Sequence, residues 1–358
     1  MTRLLAAPEA ELVFAALLLT LLAGLVLALL AARSVLTCIL LMSVFSLTMA
    51  LWLMVMDAPD VAFTEASVGA GVSTMILLGA ALSSTDVIPS VRPGRFWFPA
   101  VACLAAFIGM ALALSDLPVF GDPGSPPSSY VGRLYLEHTP HDIGAPNVVT
   151  AVLASYRGFD TLGETSVILA AGVGVLLLLG GSLNSRDPVS EDVSLRISAG
   201  SPVLSVAARL LIPIICLYAF YVLAHGEFGA GGGFQAGVIL AAALILHALV
   251  FGVRETMRAL PVGVVRSCAA LGVLGYASIG FIAILHGGRF LDYDALLSPV
   301  FEAGLPSSHL AGGHHHWGQR LGILGIETGV MLAVASTMTA IFYAFAGRVS
   351  RSDEAGAA

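Results

Sequence analysis

"PDVAFTEASVGAGVSTMILLGAAL", residues 59–82, is the stretch on which the fold turns. Asp60 and Glu65 stand at its head, and no charge follows before Leu82. Read as a helix, it is long enough to cross a hydrocarbon layer of ~30 Å. Eight further apolar blocks share this length, at residues 12–30, 34–56, 97–114, 159–182, 203–225, 231–252, 262–285 and 319–346. The expected fold is an all-α polytopic membrane protein with about nine transmembrane helices. Helices are the expected element because a backbone in lipid must satisfy its polar groups internally.

Composition agrees with that reading. Hydrophobic residues make up 58% and charged residues 11% of the 358 positions, and the mean hydropathy is +0.93. The first block resembles a secretory leader in position only. It is preceded by Arg3 against Glu9 and Glu11, and it is too long for a leader's apolar core, so a retained span is expected.

All 16 basic residues are arginines, and their distribution is lopsided. With nine spans, Arg33, Arg92, Arg95, Arg186, Arg196, Arg254, Arg258, Arg348 and Arg351 fall on one side. The other side holds mainly Arg3, Arg133 and Arg289. The positive-inside rule then predicts an external N-terminus and a cytoplasmic C-terminus. The net charge of −7 argues against a nucleic-acid partner. Cys38, Cys103, Cys216 and Cys268 lie within blocks without metal-like spacing and are expected to be buried thiols.

Two polar connections, residues 115–146 and 183–202, interrupt the short turns and suggest three modules, at 1–115, 116–190 and 191–358. The first connection, rich in Pro, Gly and Ser, is expected to be an external loop. The middle module continues with "NVVTAVLASYRGFDTLGE", where Val148, Val149, Val152 and Leu153 recur at helical spacing before Arg157. A short interfacial helix running into a span is expected there.

A charge within a bilayer is costly enough to demand a role. Glu65 lies about 7 Å deeper than Asp60. Asp160 and Glu164 share a helix face, with Arg157 one turn earlier, which suits either a salt-bridged helix start or ion handling. Glu327 in "GILGIETGVMLAVA" is the sharpest signal, since no other charge lies between Gly322 and Ala346. His247 is either a proton relay or a neutral ring bonded to its surroundings. Arg209 can snorkel to the interface.

In "HGEFGAGGGFQAG", residues 225–237, Gly231, Gly233 and Ala236 match a dinucleotide-loop spacing, but no strand precedes them. Gly229, Gly233 and Gly237 instead recur every four residues and favour close helix approach, as do Ser67 with Gly71 and Gly69 with Ser73. His309, His314, His315 and His316 are expected in a solvated or partner-facing loop. No metal site or cofactor is expected.

Together these stretches resemble a known family. Residues 59–82 resemble the MbhD-type module, also found in the C-terminal part of MrpA. The stretch "NVVTAVLASYRGFDTLGETSVI" resembles the MbhE-type segment, while "GEFGAGGGFQAG" with "GILGIETGV" resembles MrpB. The resemblance implies a natural fusion of these modules within a multisubunit Mrp-type cation/proton antiporter in a bacterial or archaeal cytoplasmic membrane. Its implied partners are the large antiporter-like subunits, Na⁺, H⁺ and lipid; the alternative is membership of a membrane-bound hydrogenase or related redox complex. The positions carried over are Asp60 and Glu65, then Arg157, Asp160 and Glu164, and finally Gly231, Gly232, Gly233, Gln235, Gly237 and Glu327. Glu227 stands where the family has His and Ala230 where it has Pro. The chain has no lysine, whereas the family's pumping subunits use embedded lysines, so a complete antiporter is not expected from this chain alone.

Overall fold

The computed structural model describes residues 8–81, 97–118, 122–179, 201–296 and 317–346. Within them, nine helices are long and apolar enough to cross a membrane. In chain order we label them α1 (Pro8–Ala31), α2 (Val35–Val55), α3 (Pro59–Ala81), α4 (Trp97–Ser115) and α5 (Gly158–Leu179), then α6 (Pro202–His225), α7 (Gly233–Phe251), α8 (Val262–Leu285) and α9 (Trp317–Ala346). The His309–His316 loop, Arg92, Arg95, Arg186, Arg196, Arg348 and Arg351 lie outside the described residues.

The long helix α9 is the axis of the C-terminal bundle and is buried along most of its length, from Gly322 to Ala346. Lipid offers no hydrophobic gain for helix association, so close backbone approach must supply the packing. Two glycines make this possible. A Cβ on Gly237 of α7 would lie 2.8 Å from the Met331 carbonyl oxygen, and one on Gly272 of α8 would lie 2.5 Å from that of Gly329. Both neighbours thus meet α9 backbone to backbone. The spacing that includes Gly233 and Gly237 serves this contact, whereas Gly229 sits in the preceding loop beside His225.

The first module leans on this bundle through α3. The segment Ala66–Val72 widens into a π-helical turn, in which the Ser73 N–H donates to the Val68 carbonyl. Ser43 of α2 donates to the Ala70 carbonyl at 3.3 Å. Such insertions bend a helix and re-aim its side chains. By contrast, α4 has no buried residue.

The middle module opens as expected, with a short helix over Val148–Tyr156 that ends in a π-helical turn and a break at Arg157. Two expectations need correction. The 115–146 connection is not all loop, because Gly132–Asp142 forms a helix carrying an Arg133–Glu137 ion pair of 2.6 Å one turn apart. It docks through Tyr135, whose ring is 5.0 Å from that of Tyr156. Nor are the cysteines buried. Cys103 is exposed and the other three are half-buried, because lying in a span places a residue in lipid-facing helix as readily as in the core.

Candidate functional site

The loop Gly226–Gly232 folds back over the end of α6. The Gly232 N–H donates to the Val222 carbonyl at 3.2 Å, and a Cβ on Gly226 would lie 2.7 Å from the Gly232 nitrogen. Gly232 itself has φ +127°, a conformation side chains disfavour. This geometry starts α7 with no side chain of its own to cap it. The cap comes from another helix: Glu327 of α9 accepts the Gly233 N–H through Oε2. A carboxylate at a helix N-terminus satisfies a free donor and meets the positive end of the helix dipole.

Polar side chains extend from this point into both other modules. Gln235 Nε2 donates to Thr64 Oγ1 at 2.8 Å, and Thr64 Oγ1 donates to the Asp60 carbonyl at 2.9 Å. Asn147 caps the short helix through Oδ1, which accepts from the Val149 and Thr150 amides at 2.9 and 3.4 Å. Its Nδ2 lies 3.2 Å from Asp60 Oδ1 and 2.9 Å from the Gly229 carbonyl. Thr150 Oγ1 donates to the Gly226 carbonyl at 2.6 Å. One asparagine therefore ties the start of α3 to the glycine loop before α7.

These groups surround a cavity of about 350 Å³ whose polar wall includes Asp60, Thr64, Thr150, Glu164, Gln235 and Glu327. Each module contributes one carboxylate. At ~30 Å³ per molecule, the volume holds several waters or a partly hydrated cation. Among the described residues no three His, Cys, Asp or Glu side chains are grouped to hold a metal ion, so the acids are spread around the wall. A second cavity of about 180 Å³ shares Thr150 and Glu327 with the first and adds Glu227 and Arg320. There Arg320 Nε lies 2.6 Å from Glu227 Oε1, and the guanidinium sits 5.9 Å from the Phe228 ring centroid.

The structure thus brings Asp60, Glu164, Glu327, Gly231, Gly232 and Gln235 to one cavity and leaves other expected positions elsewhere. Glu65 lies along α3 towards α2: a Cβ on Gly69 would be 2.7 Å from Glu65 Oε1 and 2.6 Å from Ser46 Cβ. Asp160 forms an exposed ion pair with Arg157, 2.6 Å from Oδ2 to Nε. His225 stacks on Tyr221, with ring centroids 5.1 Å apart. His247 belongs to the far end of α7, where Nδ1 meets Thr256 Oγ1 at 2.7 Å. Asn147, Thr64 and Thr150 were not singled out from the sequence. For Asn147 the signal was present, since an asparagine directly before Val148 and Val149 is a helix-start signature.

Fold and site together define a multi-pass membrane protein with a carboxylate-lined cavity where three helical modules meet. Family profiles match the modules in order: residues 20–85 match the MbhD family of MBH subunits, residues 100–201 match the MbhE family of MBH subunits, and residues 203–340 match MnhB, the "Domain related to MnhB subunit of Na+/H+ antiporter". The chain belongs, segment by segment, to these three families, joined in one polypeptide. It is similar to the probable K(+)/H(+) antiporter A/B subunit of Rhizobium meliloti (strain 1021), at 26% identity over 70% of this chain but 26% of that protein. A chain in the structure of the Mrp complex from Dietzia sp. DQ12-45-1b superimposes with a TM-score of 0.70 at 27% identity, covering 94% of this chain and 35% of that one. A chain of the membrane-bound sulfane sulfur reductase, an archaeal respiratory membrane complex, gives a TM-score of 0.50 at 30% identity over 68% of this chain and 94% of that one. The chain spans about a quarter of the Rhizobium relative and about a third of the Mrp-complex chain.

Proposed function

We propose that this chain is one component of a multisubunit monovalent cation/proton antiporter and that Asp60, Glu164 and Glu327 form its share of the ion route. The observation that carries the reading is the convergence of one carboxylate from each module on a single cavity. A proton and a cation compete for one carboxylate charge, so a site of this kind exchanges one for the other when access alternates. Glu327 and Thr150 border both cavities, and Glu327 is the carboxylate the two have in common. Asn147 orients Asp60, while Thr64, Thr150 and Gln235 supply oxygen ligands to a cation that has lost part of its water.

With an external N-terminus and a cytoplasmic C-terminus, the cavity opens near the outer face of a bacterial or archaeal cytoplasmic membrane. Large antiporter-like subunits complete the pathway. Glu65 lies off this cavity and acts, in this reading, at a neighbouring point of the route, whereas His247 stands at the opposite end of α7 and takes no part in it.

The test is cation-linked proton exchange in inverted vesicles carrying the whole complex, comparing wild type with Glu327→Gln and checking assembly on native gels. Exchange is expected to disappear from an assembled complex; exchange at the wild-type rate would overturn the reading. Membership of a redox-driven complex is the runner-up, supported by the likeness to the sulfane sulfur reductase chain. Co-purification of iron–sulfur subunits with this chain decides between them.

A further inference from the structure

At the opposite end of the C-terminal bundle lies a separate, open cavity of about 320 Å³, lined by Arg209, Ile212, Pro213, His247 and Phe251. From Gly233 to His247 the helix rises about 21 Å, so this cavity and the carboxylate cavity belong to opposite membrane faces. The Arg209 guanidinium sits 5.7 Å from the Phe251 ring centroid, and no carboxylate pairs with it among the described residues. His247 is anchored through Nδ1 to Thr256 Oγ1 at 2.7 Å. That hydroxyl already donates to the Gly252 carbonyl at 3.0 Å, so it accepts from the ring N–H, which fixes the ring as a wall of the groove and leaves Arg209 as its donor.

The surroundings point to one ligand chemistry. Arg254, Arg258 and Arg266 stand at the same end, with Glu255 already paired to Arg258. Nε of Arg266 is buried without a hydrogen-bond partner. The face of α6 beside Arg209 is apolar and exposed at Val206, Leu210 and Ile214. A fixed cation on an aromatic ring, flanked by bare aliphatic surface at a basic helix end, matches a lipid phosphate above its acyl chains.

We propose that the groove formed by Arg209, His247 and Phe251 binds the phosphate of an acidic phospholipid. Arg209 supplies the charge-assisted bonds, Phe251 holds the guanidinium in place, and Ile212 and Pro213 face the first carbons of the chains.

The test is native mass spectrometry of the full chain, extracted with the subunits that accompany it. It is washed and then titrated with phosphatidylglycerol, with phosphatidylcholine as the neutral control and inorganic phosphate as competitor. Wild type is expected to retain phosphatidylglycerol about tenfold better than Arg209→Gln, the loss typical of a charged hydrogen bond, while Arg209→Lys retains an intermediate amount. Arg209 is exposed, so the variants should elute as wild type does on size exclusion. Equal retention by wild type and Arg209→Gln, or equal binding of the two lipids, overturns the proposal. Displacement of the lipid by millimolar inorganic phosphate overturns the lipid assignment in favour of free phosphate.

Discussion

Asn147 Nδ2 stands 3.2 Å from Asp60 Oδ1, a bond between the second and first modules made by a residue whose other contacts reach into the third. Removing it affects three segments at once. Asn147→Ala is expected to lower stability by ~1–2 kcal/mol for the lost cap alone, and to reduce exchange activity by freeing Asp60. Asn147→Asp keeps the cap but faces Asp60 with a like charge. It should preserve the thermal midpoint better than Ala while depressing transport at least as much. Thermal denaturation and vesicle exchange on the two variants check this.

Glu327 and Gly233 form the second junction. Gly232→Ala is expected to fail there, because its φ is +127° and the new Cβ would lie 3.1 Å from Glu327 Oε2. Backbone strain of this kind costs about 1–3 kcal/mol. Gly263→Ala on α8, where nothing lies within 4 Å, is the matched control and should behave as wild type. Yield of monodisperse protein after extraction is the readout.

The Glu227–Arg320 pair is partly sheltered, with side-chain exposures of 19% and 35%. Arg320→Met leaves a carboxylate in the smaller cavity without its countercharge. The expected loss is about 1–3 kcal/mol, below the range for fully buried pairs. The double variant Glu227→Gln/Arg320→Met should recover most of it, and a double-mutant cycle on thermal stability measures the coupling.

Asp160 and Glu164 are one turn apart but differ in surroundings. Asp160→Asn should remove only an exposed ion pair worth under ~1 kcal/mol. Glu164→Gln should cost more in exchange activity, because its carboxylate lines the cavity. Equal effects in vesicle assays would place both acids on one route.

Tyr156, outside the membrane spans, donates to Asp142 Oδ2 at 2.9 Å. Burial, helped by that bond, pushes its phenol up to about 12 from 10.0. A raised folded value means that the contact stabilises the fold fully below pH 10.0 and that this contribution fades as pH rises through about 12. The phenolate absorbance missing from Tyr156→Phe should appear late in an alkaline titration of the wild type.

The spans were legible because hydropathy and length alone specify a membrane helix. The acids were legible for the same reason, as charges where lipid tolerates few. Their grouping was not. Asp60, Glu164 and Glu327 are far apart in the chain, and only the packing of α3, α5 and α9 decides that they share a wall. The separation of Asp60 from Glu65 was partly calculable: five residues turn a helix by about 140° net, so the two point to different faces. Thr64 carried no such signal, since a threonine inside a span usually bonds its own helix, and Thr150 lies in the short helix before α5 with nothing in its sequence to point it at Gly226. The helix in the 115–146 connection was hidden by its Pro-rich start, which reads as a breaker until the docking of Tyr135 is known.

Because α9 meets α7 and α8 backbone to backbone at Gly237 and Gly272, sliding it along its axis would drive its backbone into theirs at both points. On the proposed ion route, a change of access at Glu327 is then expected from the parts around it: the glycine loop, the widened turn of α3 and the side chains themselves.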